Sequence, residues 1–185
     1  MSKYLVFAVC LALVACKDDM IDFDYDPGSM HYDGVNANAP FLPAGTNEAA
    51  AKFHKDVLKL YEGKQIEAVD LFIYDIPATC TLVFYGNGSN NTPGSQLLAK
   101  EITTQLDTSG WNTIVLDTPF AIPASGDLWI ALRTVNDEAV QVIGCDAGPT
   151  KDGGDWLFQS DDGLWRTFRD RSPDNINWNI RAVIF

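Results

Sequence analysis

The chain has 185 residues, of which 46% are hydrophobic, 21% charged and 11% aromatic, a balance that excludes a disordered polymer and supplies apolar surface for one packed core. Thirteen Lys and Arg against 25 Asp and Glu leave a formal charge of -12, so nucleic acid, a polyanion, is excluded as a partner by long-range repulsion. Two histidines rule out a histidine-rich metal site and leave few bases that titrate near neutral pH.

Lys3 precedes an uncharged apolar run from Tyr4 to Ala15, which has the form of a secretory signal and is too short to span a bilayer. The run ends Leu13-Val14-Ala15-Cys16 and resembles a bacterial lipobox, in which small residues admit a peptidase that cuts just before the cysteine. The resemblance implies that Cys16 becomes an acylated N-terminus, and acyl chains at about 0.8 kcal/mol per buried CH2 hold a domain on a membrane without a spanning helix. Lys17-Asp18-Asp19 follows and resembles the signal that sends lipoproteins of the Bacteroidetes to the outside of the outer membrane. The expected organisation is a signal peptide over 1–15, a lipidated N-terminus and flexible acidic tether over 16–42, and a β-sandwich over 43–185. The tether is expected from its Asp, Gly, Asn and Pro content and its lack of hydrophobic periodicity.

Beyond the tether the apolar runs are short, β-branched or aromatic, and punctuated by turn residues, which predicts an antiparallel all-β domain. Ala49 to Phe53 reads as a strand. Lys55 to Tyr61 places Val57, Leu58 and Tyr61 at helical spacing before Gly63, which predicts one short helix. Gln65 to Tyr74 is apolar on both faces, as in a strand covered on both sides. Cys80 to Tyr85 is a strand, and the Gly- and Asn-rich stretch from Gly86 to Gly94 is a loop. Gln96 to Leu106 and Trp111 to Leu116 are strands around the Asp107-Thr108-Ser109-Gly110 turn, and two prolines between Thr118 and Gly126 keep that segment at an edge. Asp127 to Val135 directs Leu128, Ile130 and Leu132 to the core. Trp156 to Phe158 and Leu164 to Phe168 form a hairpin, and Ile176, Trp178, Ile180, Ala182 and Ile184 alternate with Asn177, Asn179 and Arg181 in the final strand.

Gly110-Trp111-Asn112-Thr113, Asp127-Leu128-Trp129-Ile130, Gly144-Cys145-Asp146-Ala147-Gly148-Pro149 and Asn177-Trp178-Asn179-Ile180, in that order, resemble the jelly-roll-like β-sandwich modules of secreted Bacteroidetes proteins related to gingipain-associated adhesin domains. The resemblance covers most of Ala49 to Phe185. It implies an all-β, jelly-roll-like antiparallel β-sandwich with one short helix, and a role in adhesion or ligand binding. Trp111, Trp129 and Trp178 are expected to fill the space between the sheets.

Asp146, Asp152 and Asp155 sit among glycines, where carboxylates and carbonyls could converge on Ca²⁺; the same residues equally suit a long turn whose aspartates accept from nearby amides. Trp156 and Trp165 flank the next acidic turn, where exposed indoles would stack on a sugar, or else close the end of the sandwich. Tyr85 and Asn87, with the asparagine-rich loop, form a second candidate surface. Cys80 and Cys145 are either bridged, closing a loop whose restraint is worth about 4 kcal/mol in the entropy model, or two separate buried thiols. No nucleophile elbow, zinc helix or phosphate loop occurs. The expectation is a non-catalytic, lipid-anchored outer-membrane lipoprotein that faces the exterior and binds a glycan or a host or cell-surface protein. The alternatives are a small carboxylate-dependent glycoside hydrolase and a structural accessory subunit of an outer-membrane assembly.

Overall fold

The computed structural model describes residues 23–90 and 92–185. The signal, Cys16 and Lys17-Asp18-Asp19 lie outside the described residues. The strands are β1 (Ser29–Met30), β2 (Gly45–Phe53), β3 (Gln65–Ile73), β4 (Thr79–Tyr85), β5 (Gln96–Glu101), β6 (Gly110–Ala121), β7 (Leu128–Asn136), β8 (Trp156–Gln159), β9 (Leu164–Thr167) and β10 (Ile180–Ile184). They form the expected all-β, two-sheet antiparallel sandwich, with four strands in the order β1-β10-β3-β6 and six in the order β5-β4-β7-β2-β8-β9. The one short α-helix, α1 (Lys55–Leu58), runs on into a 3-10 turn over Lys59–Tyr61, and Gly63 at φ +79° ends the segment. No helix among the described residues is long and apolar enough to cross a membrane.

The core lies between the sheets. Phe53, Leu82, Phe84, Leu128, Ile130 and Leu132 from the larger sheet meet Val69, Leu71, Ile73, Ile114 and Ile180 from the smaller one. β3 owes its apolar residues of both parities to a bulge rather than to cover on both sides. Its pairing with β6 shifts between Ile66 and Ala68, so Ile66 faces the core in phase with Val69, Leu71 and Ile73; an extra residue in one strand flips all that follow. Asp70, Phe72 and Tyr74 are left half-exposed on the outer face.

The body begins earlier than residue 43. Ser29 and Met30 pair with Val183 and Ala182, Met30 and Leu42 are buried, and bridges tie Asn38 to Cys145 and Leu42 to Val140. Tyr32 stacks on Phe53 at 5.2 Å with the planes 10° apart and donates its hydroxyl to the Lys52 carbonyl at 2.9 Å. Residues 29–42, expected in the tether, are therefore one side of the sandwich. They lack periodicity because they cover it one side chain at a time, without a repeating face.

Two further expectations are corrected. Asn177 and Asn179, opposed in sequence to the core residues of the last strand, are themselves 1% and 0% exposed, because the 144–155 segment and the N-terminal segment cover that side. Trp178 lies in the core between the sheets, but Trp129 is buried on the outer face of the larger sheet, outside that core, and Trp111 is 42% exposed. Asn112, Ile114 and Leu116 are the inward residues of β6, and Trp111 has the opposite parity.

Candidate functional site

The outer face of the six-stranded sheet carries a second apolar cluster: Ala50, Val83, Tyr85, Trp129, Ala131 and Trp156, with Trp165 packed against it. Its origin is in the register. Val83, Ala131, Ala50 and Trp156 lie side by side across β4, β7, β2 and β8, and Tyr85, Trp129 and Lys52 form the adjacent row. The small residues of the first row leave room for rings from its flanks to lie across the strands. Trp129 meets Trp156 at 5.0 Å and Trp165 at 5.5 Å, and Tyr85 meets Trp165 at 6.4 Å, all edge to face, the arrangement that aromatic quadrupoles favour. The Lys52 ammonium lies 5.4 Å from the Trp129 ring centre and 5.8 Å from that of Trp156. A polar triad borders the cluster: Tyr85 donates to Glu48 Oε2 at 2.5 Å, Arg133 Nε donates to Glu48 Oε1 at 2.9 Å, and Arg133 Nη2 donates to the Tyr85 hydroxyl. Burial and the Glu48 carboxylate push the Tyr85 phenol well above its ordinary pKa, so it stays a neutral donor.

The candidate ligand residues Trp156, Trp165, Tyr85 and Asn87, read from sequence as two surfaces, therefore occupy one. Trp156 and Tyr85 are buried at 8% and 9% exposure and Trp165 is half-buried, so these rings form a scaffold. A cavity of 160 Å³ opens beside it, lined by Lys52, Asn87, Gly88, Asn90, Thr92, Asp127 and the indole of Trp129.

Turn chemistry shapes this cavity. The loop after β4 is closed by the Gly86 amide on the Ser95 carbonyl at 2.9 Å and the Gly94 amide on the Gly86 carbonyl at 2.9 Å. A Cβ at Gly88 would strike the Thr92 carbonyl, so only glycine allows the two limbs to approach this closely. Asn90 sits at φ 53°, which asparagine tolerates. The Asp127 amide donates to Asn87 Oδ1 at 3.3 Å, and the Asp127 carboxylate accepts from the Lys55 amide at 3.0 Å and pairs with Lys52 at 3.3 Å. Lys52, Asp127 and Trp129 carry no motif; only the register of β2, β4 and β7 joins them to the asparagine loop.

The three acids expected to bind Ca²⁺ do not converge. Asp146 accepts from the Gly34, Gly148 and Asn177 amides and from Asn177 Nδ2 at 2.7–2.9 Å. Asp155 is buried and pairs with Arg169 at 3.2 Å. Asp152 is exposed and faces His54 at 3.4 Å. Among the described residues no group of three or more His, Cys, Asp or Glu side chains is placed to hold a metal ion, and the alternative expectation, aspartates satisfying backbone amides, describes Asp146. Of the two alternatives for Cys80 and Cys145, the structure has the separate buried thiols and not the bridge, with Cys80 on β4 and Cys145 between Asn38 and Trp178. A larger cleft of 450 Å³ passes Ala37, Pro40, Cys145, Phe168 and Asn175, but its Asp146 is already saturated by the four donors named above.

No known family model matches the chain, and no curated protein matches it in sequence. Two solved structures resemble it in fold, both of the clostridial cysteine protease Cwp84. One, a variant after propeptide cleavage, is 14% identical, with a TM-score of 0.55 over 86% of this chain and 41% of that one. The other contains the cysteine protease and lectin-like domains of Cwp84, described as a surface-layer associated protein of Clostridium difficile; it is 14% identical, with a TM-score of 0.52 over 77% of this chain and 32% of that one. The chain thus spans less than half of each, and the likeness is one of fold.

Proposed function

We propose that this chain is a surface-displayed, lipid-anchored module that binds a saccharide and catalyses nothing. The reading rests on the cavity beside Trp129. Two carboxamides, a hydroxyl, a carboxylate and an ammonium surround a space of 160 Å³ whose floor is the buried Trp129, and such a mixture of donors and acceptors suits the hydroxyls of a single sugar ring. Loop hydrogen bonds on one side and the aromatic scaffold on the other shape the site from the protein's own contacts, which favours a low ordering cost of binding. Asp127 is the single carboxylate in the lining, whereas general hydrolysis of a glycoside needs two facing one bond; this favours binding over turnover. The fold likeness to a surface-layer associated protein with a lectin-like domain agrees with a glycan ligand and a surface location, and acylation at Cys16 supplies the anchor.

The test is a glycan array probed with the chain and with Asn90→Gly, which keeps the left-handed backbone and deletes the carboxamide, alongside an assay for released reducing ends. Retention of specific glycans by the parent, weakened by about tenfold or more in the variant, is the expected result. Release of reducing ends would replace the reading with the hydrolase, and silence on the array, with capture of a protein instead, would replace it with a protein-binding module.

A further inference from the structure

The outer face of the smaller sheet holds the most exposed tryptophan. Trp111 points outward from β6, with Thr113 and Val115 on the same face. A single exposed apolar residue is ordinary; the surroundings of this one are not. The Arg181 guanidinium lies 4.3 Å from the indole centre, and Phe72 meets the ring edge to face at 5.5 Å. Arg181 is itself fixed: Nε donates to Asp33 at 2.9 Å, and Nη2 lies 2.8 Å from Asp33 Oδ2 and donates to the Gly34 carbonyl at 2.8 Å. The Asp33 side chain is fully buried and also accepts from Asn179 Nδ2 at 2.6 Å. A buried ion pair adds little net stability over an apolar replacement. What this one accomplishes is to hold a flat cation against one face of an indole, leaving the rest of a 42% exposed ring to solvent.

Hydrogen-bonding groups lie on the same face, Asp70 in the adjacent row and Tyr74 beyond Phe72 at 5.3 Å from it. In the neighbouring row, Thr113 donates to Asp70 Oδ1 at 2.6 Å, and Asp70 Oδ2 has no partner among the described residues. The Tyr74 hydroxyl accepts from Asn36 Nδ2 at 3.0 Å and keeps its own proton to donate. Arg181 is neutralised by Asp33, so the plate attracts no anion. An exposed ring face with a carboxylate acceptor in the adjacent row, and a phenol donor one ring further along beyond Phe72, matches the C–H face and hydroxyl rim of a neutral pyranose.

We infer that Trp111, set on Arg181 and flanked in the next row by Asp70, is a second saccharide-binding platform on the sheet opposite the cavity. It uses none of the cavity's residues, so either site can fail alone. Two such sites on opposite faces make the module a bridge between two sugar chains, so joint engagement tightens binding beyond that of either site alone.

The experiment is ¹⁵N NMR of the full chain, whose five tryptophans give five indole N–H signals, titrated with the linear trisaccharides of glucose, mannose, galactose and N-acetylglucosamine. The Trp111 signal, assigned with Trp111→Phe, is expected to shift and saturate with at least one of the four. Asp70→Ala is expected to weaken that binding by roughly tenfold with the other four signals in place, and Asn90→Gly to leave it unchanged. A shift of Trp111 with no response from Trp129 would retain the platform and remove the cavity reading. A Trp111 signal unmoved by all four sugars, or one that moves with protein concentration alone and so marks self-association, would overturn the platform.

Discussion

Asp146→Ala separates a carboxylate that organises backbone from one that awaits a cation. The side chain satisfies four donors, and their exposure sets the cost of losing it. The Asn177 amide, 2.7 Å away on a residue 1% exposed, becomes a fully buried orphan, worth about 1–3 kcal/mol. The Gly148 amide is half-buried and adds about 1 kcal/mol, while the exposed Gly34 amide turns to water. Asn177 Nδ2 retains the Pro149 carbonyl at 3.0 Å. The sum is about 2–4 kcal/mol, which for a domain of this size lowers Tm by roughly 5–15 °C. Urea titration and calorimetry measure it. Calcium and EDTA should leave the parent's Tm unchanged, because the carboxylate's lone pairs are already engaged. A loss below about 1 kcal/mol, or a calcium-dependent rise in Tm that the substitution abolishes, would refute the reasoning.

Three further outcomes are expected. The hydrogen bond and charge of Asp33 raise the His31 pKa above 6.5 against the opposing effect of burial. Its contribution to stability is thus complete below about pH 6.5 and fades as pH rises through the folded value, so the Tm gap between the parent and His31→Gln should be wider near pH 6 than near pH 8; a gap that widens with pH contradicts the pairing. Burial, then the charges of Asp146 and Asp174, push the Cys145 thiol up to about 12, and burial raises Cys80 as well. Iodoacetamide should therefore label these two only after denaturation, and reductant should leave Tm unchanged; a reductant-sensitive Tm would restore the bridge. Gly88→Ala forces apart the limbs of the loop that carries Asn87 and Asn90 and should cost about 1–3 kcal/mol while abolishing saccharide binding in the cavity, as read by calorimetric titration; unchanged affinity would show that the loop takes no part.

The strands were legible where one residue type repeats on one face. The Leu128-Ile130-Leu132 alternation gives β7, and the acidic turn between two aromatic runs gives the β8–β9 hairpin. Even Glu48-Ala49-Ala50-Ala51-Lys52, whose composition favours helix, is a strand, because β7 and β8 pair with it on both sides and tertiary pairing outweighs propensity. Burial that depends on distant covering segments was not legible. Nothing local marks Asn177 and Asn179 as interior, since their burial is created by Asp146 and Asp33, some 31 and 146 residues away. Nor does any spacing reveal that Met30 and Tyr32 belong to the body. The asparagine loop was visible as a loop, yet its partners Lys52 and Asp127 come from strand register alone.

On the proposed reading, the five tryptophans divide between structure and recognition. Trp178 is fixed in the core, where its indole N–H donates to the Trp156 carbonyl at 2.9 Å and its ring meets Phe168. Trp129, Trp156 and Trp165 roof a floor of Ala50 and Ala131 and so gain burial on a sheet face that would otherwise be wet; each ring contact adds about 0.5–1.5 kcal/mol beyond the area covered. Rings spent on one another in this way are no longer available for broad stacking on a ligand, so the cavity beside Trp129 has to discriminate mainly through hydrogen bonds. Trp111 is the converse case. Its support comes from a guanidinium beneath it and a phenyl edge beside it, and much of its surface remains open. A module built this way should read hydroxyl orientation on one face and ring shape on the other, so substitution at Asn90 should change which sugar is chosen, and substitution at Trp111 should change how firmly any sugar is held.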